Sequence, residues 1–159
     1  MKKFLAIIFV ISLLIGGDLF SQTFYYGIRT GFSLARADEE TPRLGFQVGG
    51  LLEYVTEHNL AFGTEVNLNT QKGAPIEWAL QIKYYFDTKV MGLKPYIDIG
   101  GDLWFFTGGP YAGARIGAGM DLQLTRDFVI PLDFQFGQVF IGDDTSSYFA
   151  GTTGVKFFF

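Results

Sequence analysis

Residues 128–140 read FVIPLDFQFGQVF. Phe128, Ile130, Leu132, Phe134, Phe136 and Phe140 share one parity, while Asp133, Gln135 and Gly137 fall between them. A period of two marks an extended chain with one face in an apolar environment and the other in a polar one. A helix would need apolar residues every three or four positions instead. Pro131 removes one ladder donor, and its place near the start of the run limits the loss.

The same alternation recurs outward along the chain in both directions. In 111–124, Ala112, Ala114, Ile116, Ala118, Met120, Leu122 and Leu124 oppose Gly113, Arg115, Gly117, Gly119 and Asp121. In 76–86, Ile76, Trp78, Leu80, Ile82, Tyr84 and Phe86 oppose Glu77, Gln81 and Lys83. Segments 23–34, 44–54, 60–70, 93–105 and 148–159 repeat the pattern, which makes eight predicted strands. The charges within them all take the polar parity: Arg29, Lys83, Lys94, Arg115 and Lys156 among the cations, and Glu53, Glu65, Glu77, Asp98, Asp102, Asp121 and Asp133 among the acids. The two faces are therefore distinct environments.

Alternation alone does not say which face looks outward. A sandwich or soluble barrel buries its apolar face, and a membrane barrel turns it to lipid around a polar lumen. Four features favour the membrane. The strands reach the 9–11 residues or so that a tilted span requires. Aromatics such as Phe24, Tyr26, Tyr54, Tyr84, Phe86, Phe105, Phe128 and Phe140 gather near strand ends, as interfacial girdles do. Glycines crowd the polar face and leave room for long charged side chains. The chain ends on Phe159, with Phe157 and Val155 on the same face.

The N-terminus has a different character. Lys2 and Lys3 precede the apolar run FLAIIFVISLLI at 4–15, followed by Gly16, Gly17 and Ser21. This is the pattern of a secretory signal peptide, and the run is too short to span a bilayer as a helix. Cleavage is placed near Ser21 or Gln22. The expected organisation is a leader at 1–22 and one barrel domain at 23–159.

Composition narrows the function. The chain has 159 residues, 16 Asp+Glu against 12 Lys+Arg and a net charge of −4, so it lacks the basic surface that nucleic acid requires. With no cysteine, disulfides, thiolate metal sites and lipoprotein acylation are excluded. A leader, eight amphipathic strands and the terminal KFFF at 156–159 together resemble the small OmpA/OmpX-type outer-membrane β-barrels of Gram-negative-type bacteria. The resemblance covers 23–159 and is architectural, since many functions share this pattern. It implies an all-β, eight-stranded antiparallel up-and-down transmembrane β-barrel with a polar, side-chain-filled lumen. It also implies that Val155, Phe157 and Phe159 form a C-terminal signal read by the barrel-assembly machinery. Outer-membrane lipid is the other partner implied, with the protein a monomer and both termini periplasmic. The outer loops would then be 35–43, 70–75, 106–110 and 142–147, and the periplasmic turns 56–59, 87–92 and 125–127. These outer loops are short for the family.

Little catalytic chemistry is available. The single histidine, His58, falls in a predicted periplasmic turn, while Ser33, Ser146 and Ser147 fall near the opposite rim. A nucleophile and its base need to lie about 3 Å apart. Acidic groups at Asp38, Glu39 and Glu40 and at Asp143 and Asp144 read as solvated loop charge, and no EF-hand, P-loop, Rossmann or zinc spacing occurs. The glycines at 113, 117 and 119 lack the following helix that a nucleotide loop requires. The candidate functional feature is the lumen charge network, seven carboxylates facing five cations, read as a structural plug. The expectation is a non-enzymatic outer-membrane protein without cofactor or metal, in a structural or surface-interaction role. The alternatives are a soluble, lipocalin-like carrier of a hydrophobic ligand and a narrow channel.

Overall fold

The computed structural model describes residues 23–37, 43–70, 75–106, 108–125 and 127–158. The leader at 1–22, the acidic group Asp38, Glu39 and Glu40, and Phe159 lie outside the described residues. Eight strands form a closed barrel: β1 (Thr23–Ala37), β2 (Arg43–Val55), β3 (Leu60–Asn69), β4 (Ile76–Tyr85), β5 (Leu93–Phe106), β6 (Gly109–Gln123), β7 (Phe128–Ile141) and β8 (Asp144–Phe158). Each strand pairs antiparallel with the next, and β8 pairs with β1. Closure leaves no edge strand with unpaired backbone groups.

Several strand ends differ from the sequence reading. β1 runs on to Ala37, β5 and β6 extend to Phe106 and Gly109, and β8 starts at Asp144 rather than at 148. The connection expected at 142–147 shrinks to Gly142–Asp143, with Ile141 opposite Asp144. Gly142 has φ 64°, the conformation a two-residue hairpin often demands and one that glycine adopts freely. Local alternation is weak in DTSSY, so the strand is revealed there only by its partner. Within the β7–β8 ladder, Ile130 and Pro131 stand unpaired between Val129↔Lys156 and Leu132↔Thr153. Pro131 has no N–H to offer.

The register sets the barrel's proportions. Followed across the hydrogen bonds, Tyr25 leads to Glu53, Gly63, Gln81, Gly100, Arg115, Gly137 and Tyr148, and returns to β1 at Ala35. The trace comes back ten residues further along β1, a shear of ten for eight strands. That stagger tilts the strands by roughly 40°. Ten residues at this tilt rise about 25 Å, the height of an outer-membrane apolar band.

The apolar parity faces outward. Ile28, Phe46, Val66, Leu80, Ile99, Ile116 and Phe134 are exposed, and Leu80 is 55% accessible. Every charged strand residue with a described side chain lies on the opposite parity. The hydroxyls on the outer wall satisfy themselves: Thr30 Oγ1 donates to the Gln47 carbonyl at 3.2 Å and Thr64 Oγ1 to the Ala79 carbonyl at 3.1 Å. Thr64 Oγ1 also accepts the Trp78 indole N–H at 2.9 Å. A surface that meets lipid must dispose of its polar groups in this way.

Inside, rings lie over glycines. Tyr148 pairs across the ladder with Gly137, and Tyr96 with Gly119. A Cβ on Gly137 would come within 2.4 Å of the Tyr148 ring, and one on Gly119 within 2.6 Å of the Tyr96 ring. These glycines make the space in which the lumen aromatics lie flat. Gly137→Val should therefore displace Tyr148 and cost about 1–3 kcal/mol by overpacking. A lowered urea midpoint for the detergent-folded barrel would show it, whereas an unchanged midpoint would mean that the ring moves freely.

Candidate functional site

The lumen is filled in layers. At the end that carries the termini, Tyr85 and Tyr96 pack edge to face, with ring centroids 5.3 Å apart, beside Ala61 and Val55. The Lys83 ammonium sits 4.5 Å from the Tyr96 ring centroid. At the opposite end, Trp104 stacks on Phe106 at 5.9 Å and meets Tyr148 edge-on at 5.2 Å. Val139 and Ala150 complete that cluster. Two apolar lids thus enclose a polar middle.

The lid near the termini holds a balanced ionic group. Lys83 Nζ lies 2.7 Å from Glu53 Oε2, and Lys156 Nζ lies 2.9 Å from Glu53 Oε1. Lys156 also pairs with Asp121. The Tyr85 hydroxyl accepts from Lys156 at 3.1 Å and sits 2.7 Å from Glu53 and 2.9 Å from Asp121. Two lysines meet two carboxylates, all buried.

Glu65 organises the middle. It accepts from Arg29 on one side, from Arg115 at 3.3 Å on the other, and from Gln81 at 2.7 Å. Arg29 also pairs with Asp133 and bonds Thr152. Arg115 reaches Glu77 at 3.3 Å, Asp102 at 3.4 Å, Gln81 at 2.8 Å and Gln135 at 3.1 Å. Asp102 in turn accepts the Tyr148 hydroxyl at 2.5 Å, which ties the charged layer to the far lid. The shear brings these residues together: Arg29 and Asp133 are 104 positions apart in sequence.

The structure thus joins ten of the predicted lumen charges in ion pairs and places two differently. Asp98 is buried, but neither of its carboxylate oxygens has a hydrogen-bond partner. Lys94 shares the inward parity yet is exposed, because β5 begins at Leu93 and the residue stands at the barrel mouth. Asp121, opposite Lys94 in register, turns to Lys156 instead. Val155 and Phe157 lie on the outer wall of β8, Phe157 packing 5.6 Å from Tyr26 and 5.8 Å from Phe128. His58 sits in the β2–β3 turn, whereas Ser33 pairs with Gly45 ten positions up β2 from Val55, roughly 30 Å of strand away.

The lids were missed in the sequence reading. Their signal was present: Tyr85, Tyr96, Trp104 and Tyr148 share the parity of the charges rather than that of the outer wall. Aromatic residues on a polar parity mark where a lumen closes.

A filled, charged interior inside an apolar exterior is the inverse of a soluble carrier barrel, which needs an apolar cavity and a wetted wall. The lipocalin-like alternative is set aside on that ground. The chain has the architecture of a transmembrane β-barrel. No family model matches it, and no curated protein matches it in sequence. Among solved structures it is similar to Neisserial surface protein A, with a TM-score of 0.70, 15% identity, and 84% of this chain and 96% of that one covered. The N-terminal β-barrel domain of Pseudomonas aeruginosa OprF gives a TM-score of 0.61, with 18% identity and coverage of 84% and 97%. The outer membrane protein Ail of Yersinia pestis in a phospholipid bilayer nanodisc gives 0.50, with 12% identity and coverage of 85% and 99%. The fold is that of the small eight-stranded outer-membrane β-barrels.

Because Glu65 separates two buried arginines, Glu65→Ala should leave both guanidiniums underpaired. A loss of about 3–5 kcal/mol is expected, as for other broken buried pairs. Lys94→Ala, at the mouth, should leave the unfolding midpoint in place. Equal effects of the two changes in urea titrations of the detergent-folded protein would contradict the layered arrangement.

Proposed function

We propose that the chain is a non-enzymatic, monomeric barrel of a bacterial outer membrane, exported through a cleaved leader at 1–22, with a structural or surface-interaction role. The observation that carries this reading is the outer wall: apolar around the barrel, about as tall as the membrane, with its threonine hydroxyls bonded back to the sheet. Insertion would use the barrel-assembly machinery and the C-terminal Val155, Phe157 and Phe159. The ion-paired middle and the two aromatic lids support a plug over a channel, because a conducting path would have to part Arg29, Glu65 and Arg115 from one another.

Membrane fractionation with heat-modifiable gel mobility tests the location. Recovery in the soluble periplasmic fraction, without a mobility shift, would sink the reading. On the wall, Leu80→Arg should cost roughly 2–4 kcal/mol in lipid, as arginine does at a bilayer midplane. Gln135→Glu, facing the lumen, does not meet lipid and should leave the detergent requirement unchanged. Phe159→Ser should lower insertion in cells while disturbing detergent folding less, since one interfacial aromatic contributes at most a few kcal/mol. Normal insertion of that variant would remove the C-terminal signal from the reading. Steady current from the wild type in planar bilayers would replace the plug with a channel.

A further inference from the structure

The turns at the end that carries the termini differ in kind. The β2–β3 turn consists of Thr56, Glu57, His58 and Asn59, and the β6–β7 turn includes Thr125 and Asp127. Such polar residues suit a turn in water. The β4–β5 turn instead carries Val90, 62% accessible, and Met91, 99% accessible. Leu124, at the end of the neighbouring β6, is 61% accessible. These three residues are as open as the lipid-facing wall, yet they stand beyond the last residues of the strands.

The turn is firmly built. The Leu93 N–H donates to the Val90 carbonyl at 3.2 Å, and Gly92 between them has φ 77°, which suits the third position of a type II turn. Thr88 Oγ1 donates to the Leu93 carbonyl at 2.6 Å. The Gln123 N–H donates to the Gly92 carbonyl at 2.7 Å, which fastens the turn to β6. The carbonyls of Val90, Gly92 and Leu93 are thus engaged inside the protein, as the wall threonines are at Thr30 and Thr64. Asp87 accepts the Asn59 amide at 3.1 Å. What the turn presents outward is an apolar pair preceded by the exposed Lys89. That surface is continuous with the wall. Tyr84 and Phe86 pack edge to face at 5.2 Å, and the Phe86 N–H reaches the Pro95 carbonyl at 2.8 Å. Phe86, Leu93 and Leu124 carry the outward parity of β4, β5 and β6 to the edge of the turn. The occupant that covers the wall therefore also meets the turn, and that occupant is lipid.

We propose that the β4–β5 turn is an interfacial anchor. Val90 and Met91, with Leu124, enter the phospholipid leaflet at the termini end, at the level of the glycerol and carbonyl groups. Lys89 lays its stem along them and sends its ammonium to the phosphates, as long cationic side chains do at an interface. The anchor rests on the reading of the wall as lipid-facing and adds a contact that no strand supplies. Aromatics such as Tyr84 and Phe86 mark the interface. Apolar side chains past them gain by leaving water, and their backbone pays no penalty because its carbonyls are already bonded. The polar β2–β3 turn has no such foothold, so the rim is held in the leaflet on the β4–β5 side.

The test uses the barrel in nanodiscs of phosphatidylcholine and phosphatidylglycerol, with ¹³C in the methionine methyls. Met91 at the turn and Met120 on the outer wall of β6 then report from the unaltered chain, and loss of a signal in Met91→Leu or Met120→Leu assigns each. Both methyls should broaden more with a lipid carrying a nitroxide high on its acyl chain than with a water-soluble gadolinium chelate. His58→Met, which puts the same side chain on the β2–β3 turn, should show the reverse order. Met91 broadened mainly by the chelate while Met120 follows the lipid would overturn the anchor and leave the lipid-facing wall standing. Both methyls broadened mainly by the chelate would overturn the wall and the anchor together. A methyl in His58→Met that follows the lipid as Met91 does would also overturn the anchor, since the whole rim would then lie in the leaflet whatever its turns carry.

Discussion

Glu65 lies between two arginines that come from opposite sides of the barrel, and the interior is organised around that contact. In a soluble domain the apolar residues would fill the centre and the charges would be solvated. Here the sheet is turned the other way, so the centre must be assembled from groups that water would otherwise hold. Burying them is tolerable only if each is paired and bonded. Arg29, Glu65 and Arg115 meet that demand through partners on β3, β4, β5, β7 and β8. The lids keep water from both ends of this arrangement, which strengthens its electrostatics and raises the cost of any group left out.

The wall and the lumen solve the same problem by different means. On the wall, backbone groups are satisfied by the closed ladder, and side-chain hydroxyls bond back to carbonyls. In the lumen, side chains satisfy one another. Small residues on the inward parity make this possible. Glycines beneath Tyr96 and Tyr148 let the rings lie against the sheet and leave the axis to the long charged chains.

Much of this was legible in the chain. The parity of Phe134 against Asp133, repeated from strand to strand, gave the number of strands and the two faces. The charge distribution identified the lumen residues, because parity is a local property. Three things were not local. The partners of Arg115 depend on a shear of ten, which accumulates over the whole circuit and leaves no mark in any single strand. The early start of β8 depends on pairing with β7, since Asp144–Ser147 carries little alternation of its own. The exposure of Lys94 depends on where β5 leaves the mouth, and parity says nothing about depth. The lids could have been read, had Tyr85, Tyr96, Trp104 and Tyr148 been weighed by their parity rather than by their hydrophobicity.

The sequence distances within the lumen bear on how the barrel comes into being. Lys156 and Glu53 are 103 positions apart, and Arg29 and Asp133 are 104. A sheet that has gathered its first seven strands but not yet β8 leaves Glu53 and Asp121 without Lys156, and Arg29 without Thr152. Such a sheet would already hold the Lys83–Glu53 and Arg29–Glu65 pairs, yet leave part of the charge uncompensated on the side that must become dry. The remaining compensation, from Lys156 and Thr152, arrives when β8 joins and the seam with β1 closes. Partial assemblies are thereby penalised, and the nascent chain has reason to keep its inner face wet until the last strand is in hand. The ion pairs that fill the finished barrel are thus complete only once the last strand is in place.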